Sequence, residues 1–142
     1  MLEHSHRGSG KVVYDPKRGD MRANTTNWCV IELDREITRY YRWWLQKEKH
    51  TILQQPAWDA HISVVRGERL SPEQMKMWKK QQGRIIDFVY EHGDIQVSKD
   101  KDAPGHFYWI RVDCPAVHEI RTQLGLVASW KYNHITIGRT YY

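Results

Sequence analysis

The sequence predicts an α+β fold made of two strand–helix–strand units around a central cleft. In the first half an apolar segment at 27–33 is followed by an amphipathic helix and a strand around His61. In the second half an apolar segment at 107–112 precedes another helix and a strand around His134. Both closing strands carry a histidine two residues before a hydroxyl residue. This repeated order favours two pseudo-symmetric lobes whose histidine strands lie side by side at the cleft floor.

Composition sets the broad class of the protein. A chain of 142 residues with 40% hydrophobic content is the usual size of one domain with its own core. Residues 1–20 are mostly polar and are expected to be loosely ordered, which leaves 21–142 as the single folded domain. No apolar run reaches the ~20 residues that span a bilayer, so we expect a cytoplasmic protein without a membrane partner. In that compartment Cys29 and Cys114 are expected to be reduced thiols.

The first unit follows from apolar spacing. Segment 27–33 is apolar on both faces, which is typical of a central strand. Asp34 then provides an N-cap for a helix. The helix is predicted from an apolar stripe with a spacing of four, three and one residues, and the strand at 58–66 follows it. The stripe consists of Ile37, Tyr41, Trp44 and Leu45.

The second half contains clearer helix boundaries. Ser71, Pro72 and Gln74 form a capping-box start for a helix that we expect to end at Gly83. Strands are predicted at 85–90, 95–98 and 107–112. A helix then runs from Pro115 to a stop at Gly125, and the second histidine strand closes the chain.

The two histidine strands carry the candidate catalytic residues. Because side chains alternate along a strand, His61 shares a face with Ser63, and His134 shares a face with Thr136. Paired histidines can act as base and acid near neutral pH, while the hydroxyls donate to phosphate oxygens. This chemistry needs no metal and no cofactor. A zinc site at the two histidines is disfavoured, since Asp59 is the only candidate third ligand nearby.

Candidate binding residues flank these motifs. Arg66 and Arg139 each follow a hydroxyl residue by three positions and are candidates for phosphate binding, although Arg66 could instead pair with Glu68. Four aromatic residues are candidates for stacking on bases, although core packing is the preferred interpretation of the tryptophan unless the cleft opens beside it. These are Trp58, Tyr14, Tyr132 and Tyr142.

The pair of His-x-Ser/Thr motifs resembles the signature of the 2H phosphoesterase superfamily, which has one such motif on each lobe of a bilobed α+β fold. The resemblance covers the chain from residue 27 onward. It implies that His61 and His134 are the acid and base and that Ser63 and Thr136 bind phosphate. Members of the superfamily act on 2′,3′-cyclic phosphates, 2′–5′ linkages or cyclic nucleotides.

The segments that flank the motifs resemble a narrower group. Segments 28–31, 34–44, 58–68 and 138–141 are similar to anti-CBASS phosphodiesterases of T4-like phages, which destroy the cyclic di- and trinucleotide signals of bacterial immunity. The resemblance implies cleavage of 3′–5′ bonds in such a signal, in the host cytoplasm. An RNA-processing enzyme that acts on RNA ends with a 2′,3′-cyclic phosphate stays open, as does a non-catalytic nucleotide- or RNA-binding module. A homo-oligomer also stays open, because a neighbouring subunit could supply a lid.

Overall fold

The computed structural model describes residues 5–17, 27–99, 101, 104–127 and 133–141. Within these ranges the chain forms six strands and three helices. Their order is β1 (Ser5–Tyr14), β2 (Trp28–Leu33), α1 (Glu36–Lys49), β3 (His61–Arg66), α2 (Pro72–Met75), β4 (Ile85–Lys99), β5 (His106–Asp113), α3 (Pro115–Gln123) and β6 (Asn133–Thr140). No helix in the described part of the chain is long and apolar enough to cross a membrane.

The six strands form one closed antiparallel sheet in the order β1-β2-β3-β6-β5-β4. The histidine strands β3 and β6 are neighbours through the pair Ile62 and Ile135, which confirms their predicted adjacency. The β2-α1-β3 and β5-α3-β6 units are both present, in agreement with the predicted element order. The predicted lobes are not separate sheets, however, because β1 pairs with both β2 and β4 and thereby joins the two halves.

The N-terminal segment corrects the expected domain boundary at residue 20. Strand β1 is an integral part of the sheet, and Val12 within it is fully buried. Gly8 and Gly10 belong to the segment that was expected to be loosely ordered, yet both lie within this strand. A Cβ at Gly8 would clash with the Phe88 ring, so the absence of a side chain permits the close packing of β1 on β4.

One face of the sheet is apolar and carries the helices. Its central residues are cross-strand partners that form a row over five strands, and each is 0% exposed. They belong to the same buried cluster as Tyr41 of α1 and Ile120 of α3. The row consists of Val12, Ile31, Ile62, Ile135 and Ile110. Residues that flank Ile62 and Ile135 therefore point to the opposite face.

Several local predictions differ from the structure in length. The capping box at Ser71 forms as predicted, but helix α2 ends at Met75 and turns continue to Gly83. The two strands predicted at 85–90 and 95–98 are one strand, β4, with a register shift between Tyr90 and Ile95. Cys29 and Cys114 are buried free thiols, as predicted.

Candidate functional site

The register of β3 against β6 brings the two motifs together. Partners in an antiparallel pair run in opposite directions, so the Ile62–Ile135 pair places His61 opposite Thr136. The same register places Ser63 opposite His134. All four side chains lie on the face opposite the apolar row. The two histidines are therefore diagonal neighbours, and each faces the hydroxyl of the other motif.

Each histidine strand contains one extra residue directly after its hydroxyl. Against β2, Ser63 pairs with Val30 and Val65 pairs with Cys29, so the ladder skips Val64. Against β5, Thr136 pairs with Trp109 and Gly138 pairs with Tyr108, so the ladder skips Ile137. Both irregularities are β-bulges, and they occupy equivalent positions in the two motifs.

The bulges decide which way the two arginines point. Arg66 and Arg139 lie three residues after their hydroxyls, and strict alternation would place them on the opposite face. The extra residue in each bulge shifts the alternation of side chains by one position, so both arginines lie on the same face as the histidines. Consistent with this, Val64 and Val65 are consecutive and both 0% exposed.

The residues just before β3 orient the His61 ring. Its Nδ1 donates a hydrogen bond to the backbone oxygen of Asp59 at 2.7 Å, which orients the imidazole ring. The ring of Trp58 stacks on His61 with centroids 4.1 Å apart. Trp58 and Asp59 also border a cavity of about 290 Å³ that is lined further by Lys17 and Glu32. The predicted stacking residue Trp58 therefore lies at the site, against the histidine itself.

His134 is held in its neutral form. Arg66 Nη2 lies 3.5 Å from His134 Nε2 and donates toward the lone pair of that nitrogen. Burial, followed by the charges of Arg66 and His61, lowers the pKa of His134 to about 4. At neutral pH the ring therefore has an unprotonated Nε2, which is the state that a general base requires.

This pKa predicts how stability depends on pH. The unfolded chain protonates His134 near its ordinary pKa of 6.5, whereas the folded chain does so near 4. The contribution of this residue to stability is therefore full above pH 6.5 and falls as the pH drops toward 4, by at most roughly 3 kcal/mol. Urea unfolding at pH 7 and pH 4.5 measures how much unfolding free energy is lost at the lower pH. This loss should be smaller in His134→Gln than in the wild type. His118→Gln, at an exposed position on α3, should match the wild type; equal losses in all three proteins would contradict the expectation.

A second cavity, of about 480 Å³, lies beside His134. It is lined by Arg66, Ser98, Phe107, Trp109, His134 and Thr136. Phe107 and Trp109 were not predicted as site residues. Both lie on β5, where Trp109 is the cross-strand partner of Thr136 and Phe107 is the partner of Arg139. Their i, i+2 spacing was visible in the sequence, but it becomes informative only once β5 is known to pair with β6.

Arg139, the second predicted phosphate-binding arginine, packs against aromatic rings. The Arg139 guanidinium lies over the rings of Phe107 and Tyr141, with its carbon 4.7 and 4.4 Å from their centroids, and donates to Pro104 O at 3.2 Å. Arg139 therefore packs against the Phe107 wall at the rim of the cavity. Glu68, the alternative partner considered for Arg66, forms an ion pair with Arg121.

The prediction for Tyr14 is wrong. This side chain is only 4% exposed and packs in the core, edge-on to Trp78, with a pKa that burial raises to about 12. It cannot stack on a base, because β1 places it on the apolar face of the sheet. Tyr132 and Tyr142 lie outside the described residues. Among the residues that the structure describes, no three His, Cys, Asp or Glu side chains form a group that could hold a metal ion.

Comparison with protein families shows which family the chain belongs to. A model described as Swiss Army Knife, 2H phosphoesterase domain, matches residues 30–142. The chain belongs to the 2H phosphoesterase family. The match includes both histidine strands and both bulges, and the 2H phosphoesterase domain identifies the protein as a phosphodiesterase, a hydrolase of phosphodiester bonds. No curated protein sequence and no solved structure has significant similarity to the chain.

Proposed function

We propose that the protein is a metal-independent phosphodiesterase that cleaves the 3′–5′ bonds of cyclic oligonucleotides built from ribonucleotides. The observation that carries the proposal is the β3–β6 register, which sets two histidines diagonally on one face. A neutral base, a proton donor and phosphate-binding groups then all come from the chain itself. No step of this reaction depends on a metal ion.

The first step is transesterification at phosphorus. His134 Nε2 accepts the proton of the ribose 2′-OH, and the 2′-oxygen forms a bond to phosphorus. The bond from phosphorus to the 5′-oxygen breaks, and His61 Nε2–H protonates that leaving oxygen. The product has a 2′,3′-cyclic phosphate and a free 5′-OH. Water opens the cyclic phosphate in a second step with the roles of the two histidines exchanged.

The groups around the histidines stabilise the charge on the phosphate. Ser63 and Thr136 each lie opposite a histidine and can donate to non-bridging oxygens. The Arg66 guanidinium contacts His134 Nε2. With a phosphate between the strands, this guanidinium donates to a non-bridging oxygen instead.

The aromatic residues favour a substrate with bases on both sides of the scissile phosphate. Trp58 stacks over His61, while Phe107 and Trp109 line the cavity beside His134. Aromatic faces of this kind bind unpaired bases with little sequence preference. A cyclic di- or trinucleotide has a base on either side of every phosphate. Together with the resemblance of segments 28–31, 34–44 and 58–68 to phage enzymes, this supports a role in the evasion of bacterial CBASS immunity, in the host cytoplasm.

Substrate comparison tests the proposal. The protein is incubated in EDTA with 3′,3′-cyclic GMP–AMP, with the same ring lacking both 2′-hydroxyls, and with an RNA that ends in a 2′,3′-cyclic phosphate. We expect cleavage of the ribose ring and none of the deoxy ring, because only the former contains the nucleophile. Activity on the RNA end alone would assign the protein to RNA processing. Loss of turnover in EDTA would contradict the metal-independent mechanism, and binding without cleavage would indicate a nucleotide-binding module.

A further inference from the structure

We propose that Arg121 and Arg42 are positioning residues that hold the two β-bulges and thereby keep Arg66 and Arg139 on the face of the catalytic histidines. Each of these helix arginines donates to the backbone oxygen of one bulge residue. The inference rests on the proposed function, since it assigns a role to residues that act through Arg66, the proposed phosphate-binding arginine, and through Arg139 at the rim of the same cavity.

The carbonyl group of each bulge residue requires a hydrogen-bond donor from outside the sheet. An extra residue in a strand interrupts the ladder, so its carbonyl is displaced from the regular pattern of cross-strand bonds. Val64 and Ile137 are both 0% exposed, where water cannot serve as the partner. A buried carbonyl without a donor is costly, so a bulge at these positions requires a donor from elsewhere in the fold.

Arg121 supplies that donor for Val64 and also fixes the segment on the other side of Arg66. Its Nη1 donates to Val64 O at 2.9 Å, and its two terminal nitrogens bind the Glu68 carboxylate at 2.6 and 2.9 Å. The pKa of the Glu68 carboxyl is lowered chiefly by its hydrogen bonds with Arg121, with a smaller contribution from the backbone of Arg66. Arg121 thus holds the residue two before Arg66 and the residue two after it, and its own side chain is 3% exposed.

Arg42 has the equivalent role in the other half. Its Nη1 donates to Ile137 O at 2.8 Å. The two contacts cross between halves of the fold: α3, from the second half, holds the bulge in β3, and α1, from the first half, holds the bulge in β6. Both arginines reach the sheet from its helix-bearing face, and the reacting groups lie on the other face. They therefore act without contacting substrate.

The test follows His134 by NMR as well as turnover. Charged and titratable groups that face His134 are Arg66 and His61 on β3 and Arg111, its cross-strand partner on β5. Arg121→Lys keeps the charge but has a single ammonium, which cannot bind Val64 O and both Glu68 oxygens as the planar guanidinium does. As Arg66 moves away, we expect the pKa of His134 to rise toward its value in Arg66→Ala. We expect kcat to fall by roughly tenfold to a hundredfold, with a much smaller change in KM.

Double variants separate positioning from general stability. In the Arg66→Ala background, Arg121→Lys should change neither the His134 pKa nor kcat further, since the residue through which it acts is gone. Arg84→Lys is the matched control, because Arg84 is an exposed arginine that forms an ion pair with Glu119 of α3. Glu68→Gln is a milder second variant, should Arg121→Lys fail to fold. Likewise, Arg42→Lys should add no loss of kcat in the Arg139→Ala background.

The outcomes distinguish the inference from the function. An unchanged His134 pKa in folded Arg121→Lys and Glu68→Gln would overturn the inference, whatever the activity. The inference would also be overturned if the loss of kcat in a double variant equalled the product of the losses in the two single variants. Absence of wild-type turnover would count against the proposed function alone, because the NMR comparison needs no substrate.

Discussion

His61→Ala and His134→Ala should each lower kcat at pH 7 by about 10²- to 10⁴-fold, the range that general acid–base catalysis contributes. Each variant removes one of the two proton transfers, and neither side chain belongs to the buried apolar row. The double variant should be little slower than either single variant, because the two histidines act in one step. Turnover of the cyclic dinucleotide and thermal unfolding are measured on the same samples. His118→Ala, at an exposed site on α3, should retain wild-type activity.

A change of leaving group assigns the two roles. In a uridine 3′-(4-nitrophenyl phosphate), the leaving phenolate needs no protonation, so the acid becomes dispensable while the base does not. His61→Ala should recover most of its lost activity on this substrate, and His134→Ala should not. Recovery by His134→Ala instead would reverse the assignment that follows from the neutral ring of His134. Activity near wild type in either variant on the cyclic dinucleotide would remove the mechanism altogether.

Arg66→Ala should lower kcat by about 10²-fold, comparable to the loss of one preorganised donor to a transition-state oxyanion. The guanidinium is already at His134 Nε2, 3.5 Å away, and lines the same cavity as Thr136. Arg66→Lys should recover part of the loss, because an ammonium keeps the charge but not the two-pronged geometry.

Two measurements check the role of Arg66. Steady-state kinetics should show the loss mainly in kcat, and NMR titration should show a higher pKa for His134, since a neighbouring positive charge has been removed. Arg69→Ala is the matched control, an exposed arginine three residues further along the chain. If Arg66→Ala changed KM alone, Arg66 would bind the ground state and not the transition state.

The sequence contained enough local information for the elements that carry the site. Apolar periodicity predicted β2, α1, β3, β5, α3 and β6 in the correct order. The His-x-hydroxyl spacing placed each histidine on the same face as its hydroxyl, because alternation along a strand depends only on neighbouring residues. The two motifs also indicated the family, and the matching model covers residues 30–142.

Predictions failed where long-range packing overrides local preference. The polar composition of residues 1–20 favoured a loosely ordered segment, but Gly8 and Gly10 allow β1 to pack closely on its neighbours in the closed sheet. Because residues 1–20 were expected to lie outside the folded domain, Tyr14, which lies in β1, was assigned the wrong role. Phe107 and Trp109 were seen as strand residues, yet their position at a cavity depends on the pairing of β5 with β6.

The sequence by itself determined the two motifs, their chemistry and the faces of their histidines and hydroxyls. Tertiary structure decided that His134 is neutral, since burial and the approach of Arg66 lower its pKa. It also decided the direction of the arginines. Their odd spacing from the hydroxyls points them away from the site in a regular strand, and only a bulge turns them back. Such a bulge depends on donors more than fifty residues away in the sequence, Arg121 for Val64 and Arg42 for Ile137, so no local pattern could have predicted it.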